Sequence, residues 1–459
     1  MQQKTMIIAI IAAAIIVVAG CAAALTVIGG DDKEVEVNPD ESSIRLRIYG
    51  NANGDDYINN DDIKIVQKII DENIVDWKKT YYFADADHDG KITENDIDVI
   101  KKIINGEKTK MWYENCFSTK DKLDGSNDRI DSYVNYPIGT KVGCEYLALD
   151  LLNALGVYNY MTAVDASTAS IYDDSTYPGV RSLPVIGPKD GFDLESLAKL
   201  HKNGTIETVV MWTGGTATNY LWDTAQKSGL ADEISFVMVP CQGKNCVNGV
   251  LMLACMFGDQ ALSEKYVKWY DKGLDLLDKI GDTVDKKTVL VVQMFNNTTK
   301  SGLQAYKQYQ SPALWFSEIV NFVENTAGNK GFLKLGSAEA LQAQLEQYNT
   351  SEMIVMTQPS ADGTYENYNS WVEKKMNELF VNLPIYENQK IYTIDFTLMP
   401  FLGGPAACYL LAAQLYPDAF SMEDAFAFVQ EYIDNFMPVK HDAHYGFTYT
   451  GDGYYPYKG

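Results

Sequence analysis

From residue 129 onward, short apolar runs rich in Val, Ile, Met and Tyr alternate with stretches whose apolar positions recur every three or four residues. The runs predict buried strands and the recurrences predict amphipathic helices. Strands are expected over 129–136 (RIDSYVNY), 161–167 (MTAVDAS), 206–212 (IETVVMW), 288–295 (TVLVVQMF), 353–358 (MIVMTQ) and 390–396 (KIYTIDF). Helices are expected over 143–155, over a short stretch capped by Asp193, and over 257–280, 313–327, 370–379 and 404–415. The segment 257–280 would span about 36 Å if wholly helical. Strands alternating with helices imply parallel sheets with helices on both faces. The pattern is therefore that of two Rossmann-like α/β lobes bridged by one long helix.

The beginning of the chain is patterned differently. Lys4 lies in a short polar start, and residues 6–20 are then apolar without interruption up to Cys21. This is an export signal. The run VVAGC at 17–21 resembles a lipobox, which would make Cys21 a lipidation site; the apolar stretch continues to Gly30, so an uncleaved anchor fits the length as well. Either route tethers the chain at the outer face of the cell membrane. The acidic stretch DDKEVEVNPDESS at 31–43 has no periodicity and reads as a flexible stalk.

Between stalk and lobes lies an internal repeat. NANGDDYINNDD at 51–62 aligns with DADHDGKITEND at 85–96, and each loop runs into the same helical pattern, IKIVQKII or IDVIKKII. Oxygen-bearing side chains at alternate positions converge on one centre, the seventh position offers its backbone carbonyl, and the twelfth closes the shell from the helix start. Two calcium sites are expected, one from Asn51, Asn53, Asp55, Tyr57, Asn59 and Asp62, the other from Asp85, Asp87, Asp89, Lys91, Thr93 and Asp96. Seven hard oxygens suit calcium better than magnesium or softer metals. Asn51 replaces a carboxylate and Asp56 stands where the sharp turn favours Gly, so the first site is expected to bind more weakly. Asp at the twelfth position of two loops, each preceding one helix, makes residues 48–106 resemble a type I dockerin. That resemblance implies a small all-α calcium-binding domain that binds a cohesin-bearing partner, with Asn60, Asp61, Lys64, Glu94, Asn95 and Asp98 as recognition positions.

The lobes carry a second resemblance. GFDLESLAKL at 191–200 followed by TVVMW, ALWFSEIVNFVENTAGNKGF at 313–332, NQKIYTID at 388–395 and GPAACYLLAAQLYPDAF at 404–420 are similar, in that order, to passages of class III substrate-binding proteins of ABC importers. Such proteins capture iron-siderophore, haem, cobalamin or similar metal chelates between the lobes, without chemistry, and deliver them to a membrane permease. The resemblance places ligand contacts at the carboxyl ends of strands: Tyr136 and Pro137; Trp212, Thr213 and Gly214; Phe295 and Asn296; Gln358; Phe396 and Met399. It also places permease-docking glutamates at Glu195 and Glu318. The expected organisation is a signal or anchor (1–30), an acidic linker (31–46), a dockerin-like domain (47–110), an N-lobe (111–258), a connecting helix (259–284) and a C-lobe with tail (285–459).

Composition narrows the alternatives. The 62 acidic against 38 basic residues leave a net charge of −24, which repels nucleic acid and anionic lipid. No G-x-S-x-G, H-E-x-x-H or P-loop pattern occurs. Four histidines are too few for direct capture of bare zinc or manganese. The pair Cys241 and Cys246 could close a disulfide or remain two thiols. The competing reading of the whole chain is a dockerin-bearing carbohydrate-active enzyme or an adhesive surface protein.

Overall fold

The computed structural model describes residues 41–115, 130–145, 148–171, 174, 177–187, 193–212, 222, 224–241, 245–283, 287–295, 303–306, 320–322, 332–335, 342–343, 346, 353–358, 391–395 and 402–443. The chain divides into two compact units, Met1–Asn38 and Pro39–Gly459, and the described residues belong to the second. The leader, Cys21 and most of the stalk lie outside them. No described helix is long and apolar enough to cross a membrane.

The repeat folds as its pattern predicts. Helix α1 (Asn60–Asp71) starts at Asn59 and α2 (Glu94–Ile104) at Thr93, each closed by a capping box in which the N3 aspartate, Asp62 or Asp96, binds back to the cap backbone. Ile65, Val66 and Ile69 on α1 and Ile97, Ile100 and Ile103 on α2 are buried. These side chains belong to a single apolar cluster that continues into the region after residue 110. Strand β1 (Thr109–Asn115) pairs antiparallel with β2 (Ile130–Tyr136), and Ile48 bridges to Tyr113 on the free side of β1. The expected boundary at 110/111 thus falls inside a strand. Two polar features fasten the junction. Buried Arg47 pairs with buried Glu114 and donates to the carbonyls of Glu41 and Ile44, so both charges are compensated. The Tyr113 hydroxyl donates to Phe236 O (3.1 Å) and accepts from Met238 N (3.1 Å), tying the ribbon to the sheet that follows.

That sheet has four parallel strands, β3 (Val142–Cys144), β4 (Met161–Val164), β5 (Thr208–Trp212) and β6 (Ser235–Val239), in the order β4-β3-β5-β6. Helices α3 (Leu149–Ala154), α4 (Ala166–Ile171), α5 (Leu194–Lys202) and α6 (Cys246–Met256) accompany it. Two expectations need correction. The strand over 129–136 exists but forms the antiparallel ribbon and does not enter the parallel sheet. The helix expected over 143–155 is instead strand β3, a short connection and α3: the burial of Val142, Gly143 and Cys144 between two parallel neighbours outweighs a helical pattern. Helix α6, absent from the sequence reading, is buried on every side. At Gly249 a Cβ would lie 1.8 Å from Pro240 O, so only glycine lets strand and helix approach this closely.

Helix α7 (Glu264–Thr283) is the expected connector, entered through a 3-10 turn over Gln260–Ser263. Beyond it β7 (Lys287–Phe295), β8 (Leu303–Tyr306), β9 (Val320–Phe322), β10 (Phe332–Leu335), β11 (Met353–Gln358) and β12 (Ile391–Asp395) form a mixed sheet. Its order is β10-β8-β7-β11-β12, with β9 also on β7. Strands β7, β11 and β12 are parallel, whereas β8 and β10 are antiparallel to their neighbours. The helix expected over 313–327 is contradicted at Val320–Phe322, which pairs with Lys287–Val289 as a strand; the helix expected over 370–379 lies outside the described residues. The chain then returns as α8 (Gly404–Leu415) and α9 (Met422–Phe436), which pack on α7: Trp269 stacks on Phe428 with centroids 5.0 Å apart, and a Cβ at Gly273 would meet Pro405 at 2.4 Å.

Candidate functional site

The paired loops are built from side chains that accept backbone N–H groups two residues ahead, the habit that favours Asn and Asp in turns. In the first loop Asn53 Oδ1 accepts from Asp55 N (3.0 Å) and Asp55 Oδ1 from Tyr57 N (2.8 Å). In the second, Asp87 Oδ1 accepts from Asp89 N (3.2 Å) and Asp89 Oδ1 from Lys91 N (2.8 Å). The closing aspartates are superimposable in role. Asp62 accepts from Asn53 N (3.2 Å) and Asn59 N (2.7 Å), and Asp96 from Asp87 N (3.2 Å) and Thr93 N (2.7 Å).

The second loop brings carboxylate oxygens of Asp85, Asp87 and Asp89 within 4.8 Å of one another. Oxygens that share a calcium ion at about 2.3–2.6 Å lie within about 5 Å of one another, so the spacing of this donor set is compatible with a hard divalent cation. Burial raises the Asp85 carboxyl above its usual range, with Asp87 adding repulsion, and pushes Asp96 up to about 6. In the first loop burial pushes Asp62 up to about 7 and raises Asp55. The first loop nevertheless differs. Asn51 donates from Nδ2 to Leu46 O (2.8 Å) and Asp55 O (2.7 Å), leaving its buried Oδ1 without a partner. Asp56 does not take the left-handed turn expected of it; Gly54 does, at φ +74°, while the second loop uses His88 (+58°) and Gly90 (+89°). The Asp56 carboxylate is held by Arg45. The six recognition positions, Asn60, Asp61, Lys64, Glu94, Asn95 and Asp98, are all exposed.

A second set of candidates stands at the carboxyl ends of the parallel strands. Trp212 ends β5, Phe295 ends β7 and Gln358 ends β11, and the last two are register partners on adjacent strands. Thr213, Gly214, Asn296, Phe396, Met399 and Glu318 lie outside the described residues. Glu195 is exposed on the first turn of α5, beside the capping Asp193, whose carboxylate accepts Glu195 N at 3.1 Å. Tyr136 and Pro137 are placed elsewhere. Because β2 belongs to the ribbon, the Tyr136 side chain is buried and its hydroxyl donates to Ile103 O (2.7 Å) at the end of α2, a carbonyl that also accepts from Gly106 N (3.1 Å). Pro137 lies against Gly258. Neither residue stands at the end of a parallel strand.

The sequence reading missed Glu145 and Asp165, which directly follow β3 and β4 and are buried. Asp165 Oδ1 caps α4 through Thr168 N (2.9 Å), and its Oδ2 is buried without a partner. Burial and the nearby Asp165, Glu145 and Asp150 hold the Cys144 thiol well above its ordinary range, and Cys241 is raised in the same way. Cys241 and Cys246 are separate buried thiols, the latter 3.5 Å from the Tyr266 hydroxyl and pushed up to about 12. Thiolate chemistry is disfavoured at all three.

No protein-family profile and no curated protein sequence matches the chain. Its fold is similar to that of solved periplasmic binding proteins. The TroA-like periplasmic binding protein FepB of Veillonella parvula shares 14% identity at a TM-score of 0.51, over 64% of this chain and 88% of that one. CeuE of Helicobacter pylori, solved as a complex with nickel and histidine, shares 14% at 0.46 over 68% and 94%. A periplasmic haem-binding protein of Pseudomonas aeruginosa shares 15% at 0.41 over 60% and 92%. The first of these identifies the fold as TroA-like mixed α/β with parallel sheets.

Proposed function

We propose that this chain is the extracellular solute-binding component of an ABC importer, tethered through its N-terminal segment, and that it takes up a metal chelate or cofactor-like compound by binding without chemistry. The observation that carries the reading is a four-stranded parallel sheet joined through α7 to a mixed sheet with the parallel core β7-β11-β12, with Trp212, Phe295 and Gln358 at strand carboxyl ends, where open α/β sheets receive ligands. Aromatic rings at such positions suit the flat faces of corrin, porphyrin or catechol groups. Exposed Glu195 is a candidate for permease docking, as the order of sequence passages suggests.

The repeat adds a second element to the proposal. The second loop would hold calcium through Asp85, Asp87, Asp89 and Asp96, and the first, more weakly, through Asn51, Asn53, Asp55 and Asp62, with Tyr57, Lys91, Asn59 and Thr93 completing the two loops. The ion would supply positive charge that offsets the crowded carboxylates. The exposed positions 60, 61, 64, 94, 95 and 98 would then be free to meet a cohesin domain; this part rests on the residue pattern alone.

Thermal unfolding of the full chain tests the solute reading, with cobalamin, haem, ferric siderophores, molybdate and oligosaccharides added singly. A ligand at a hundred times its Kd should add roughly 2.7 kcal/mol to native stability, a readable shift for one chelate and not the others. A response to an oligosaccharide alone would replace the importer reading with the carbohydrate one. Passing the same protein over an immobilised cohesin domain tests the tether: capture is expected with calcium and lost with chelator, and the absence of capture in calcium would remove the cohesin partner.

A further inference from the structure

The first loop is held from outside the repeat. Ile58, its eighth residue, has both backbone groups bound by one side chain: Gln260 Oε1 accepts from Ile58 N (2.8 Å) and Gln260 Nε2 donates to Ile58 O (3.0 Å). A single carboxamide thus supplies the donor and acceptor that a neighbouring strand would offer. Gln260 opens the 3-10 turn that leads into α7. The guanidinium of Arg45 joins the same loop to the same helix, pairing with Asp56 on one side and with Asp271 on the other (Nη1 to Oδ1, 2.5 Å). The planar fork of arginine suits such a double commitment. The same loop holds Asn51 Oδ1, a buried oxygen with no hydrogen-bond partner on a residue that is 1% exposed.

We propose that the first loop is a composite cation site, half of it in the repeat and half in the junction with α7. Gln260 and Asp271, the latter through Arg45, are positioning residues that hold the loop in its binding shape; they touch no ion. The loop spends a carboxylate, Asp56, on this attachment, and its first position is neutral. What it lacks in charge is offset by a backbone already fixed, which lowers the ordering cost of binding. The second loop has no such attachment to α7 among the described residues; its contacts run to the ribbon, with His88 stacked on Trp112 (centroids 4.5 Å apart) and 3.0 Å from Asp131. Cation affinity at the first loop therefore depends on residues 200 positions away, and affinity at the second does not. The inference rests on the calcium reading of the two loops.

The test uses the full chain titrated with calcium by calorimetry, the two events being assigned by the loss of one in Asp62→Asn and of the other in Asp96→Asn. Gln260→Ala should weaken the first-loop event by roughly two- to tenfold, the range of losing one net hydrogen bond, and leave the second unchanged. Asp271→Asn, at a half-buried site on α7, should act in the same direction and serves where Gln260→Ala fails to fold. Gln260→Glu keeps the acceptor and loses the donor, so it should fall between. Two calcium events of wild-type affinity in folded Gln260→Ala and Asp271→Asn would overturn the composite site and leave the calcium reading standing. A wild-type chain that binds no calcium overturns both.

Discussion

A chain lacking residues 44–108 is expected to lose the cooperative fold of the region that follows, although a modular reading would treat this segment as detachable. Leu46 and Ile48 are fully buried in the same cluster as Tyr113, Val134, Tyr136, Leu151 and Val250. Losing a buried Leu or Ile side chain costs about 2–5 kcal/mol. Removing Arg47 also breaks its ion pair with Glu114, a carboxylate 5% exposed, and breaking such a buried pair costs about 3–5 kcal/mol more. Together these approach the roughly 5–15 kcal/mol by which a domain is stable at all. The Tyr136 hydroxyl loses the Ile103 carbonyl as well. Thermal unfolding followed by circular dichroism should show no sharp transition in the shortened chain. A sharp melt within a few degrees of the full chain's would mean that the repeat is an appendage after all.

The second large effect expected is an opposition between protons and calcium. Burial sets Asp62 at about 7 and Asp96 at about 6, above the 3.8 of a free carboxyl. A carboxyl whose folded value is raised contributes stability that is fully present below the unfolded value and is lost as pH rises through the folded one. The metal-free chain should therefore be more stable at pH 5 than at pH 8, the loss beginning near pH 4 and ending at about pH 6 for Asp96 and about pH 7 for Asp62. Calcium requires both groups ionised, so its affinity should run the other way. From pH 8 to pH 5 it should fall roughly a hundredfold at the first loop and tenfold at the second. Calorimetric titrations at the two pH values check this. Equal affinities at both would remove Asp62 and Asp96 from the ligand sets.

What could be read in advance follows from how far each interaction reaches along the chain. The Asx turns, the capping boxes at Asn59 and Thr93 and the paired helices are settled within a dozen residues, so the repeat is plain from its letters. Strands β5, β7, β11 and β12 are dense in β-branched and other apolar residues and were equally plain. Their carboxyl ends followed, including Phe295 and Gln358, which turn out to be register partners. Strand β3 was hidden because three residues, Val142–Cys144, carry too little pattern against the helical run after them. The antiparallel ribbon was hidden because pairing is decided by partners and composition does not reveal it. Arg45, Asp131 and Gln260 gave no local signal, since each acts across tens or hundreds of positions. The one available hint was that two of the chain's four arginines, Arg45 and Arg47, fall together at the end of the stalk. Arginine is the side chain suited to buried pairing.

The distances between bonded partners also impose an order on synthesis. The first loop is among the earliest folded parts to leave the ribosome, yet its hydrogen bonds to Gln260 span 202 residues and the Arg45–Asp271 pair spans 226. Tyr113 waits on Phe236, 123 residues later. Contacts so far apart close slowly, and for most of elongation Ile48, Ile58 and Tyr113 have no finished surface to bury against. The nascent chain thus carries an open apolar face until α7 has emerged, and during that interval a chaperone or an export machine can still handle it as an unfolded substrate.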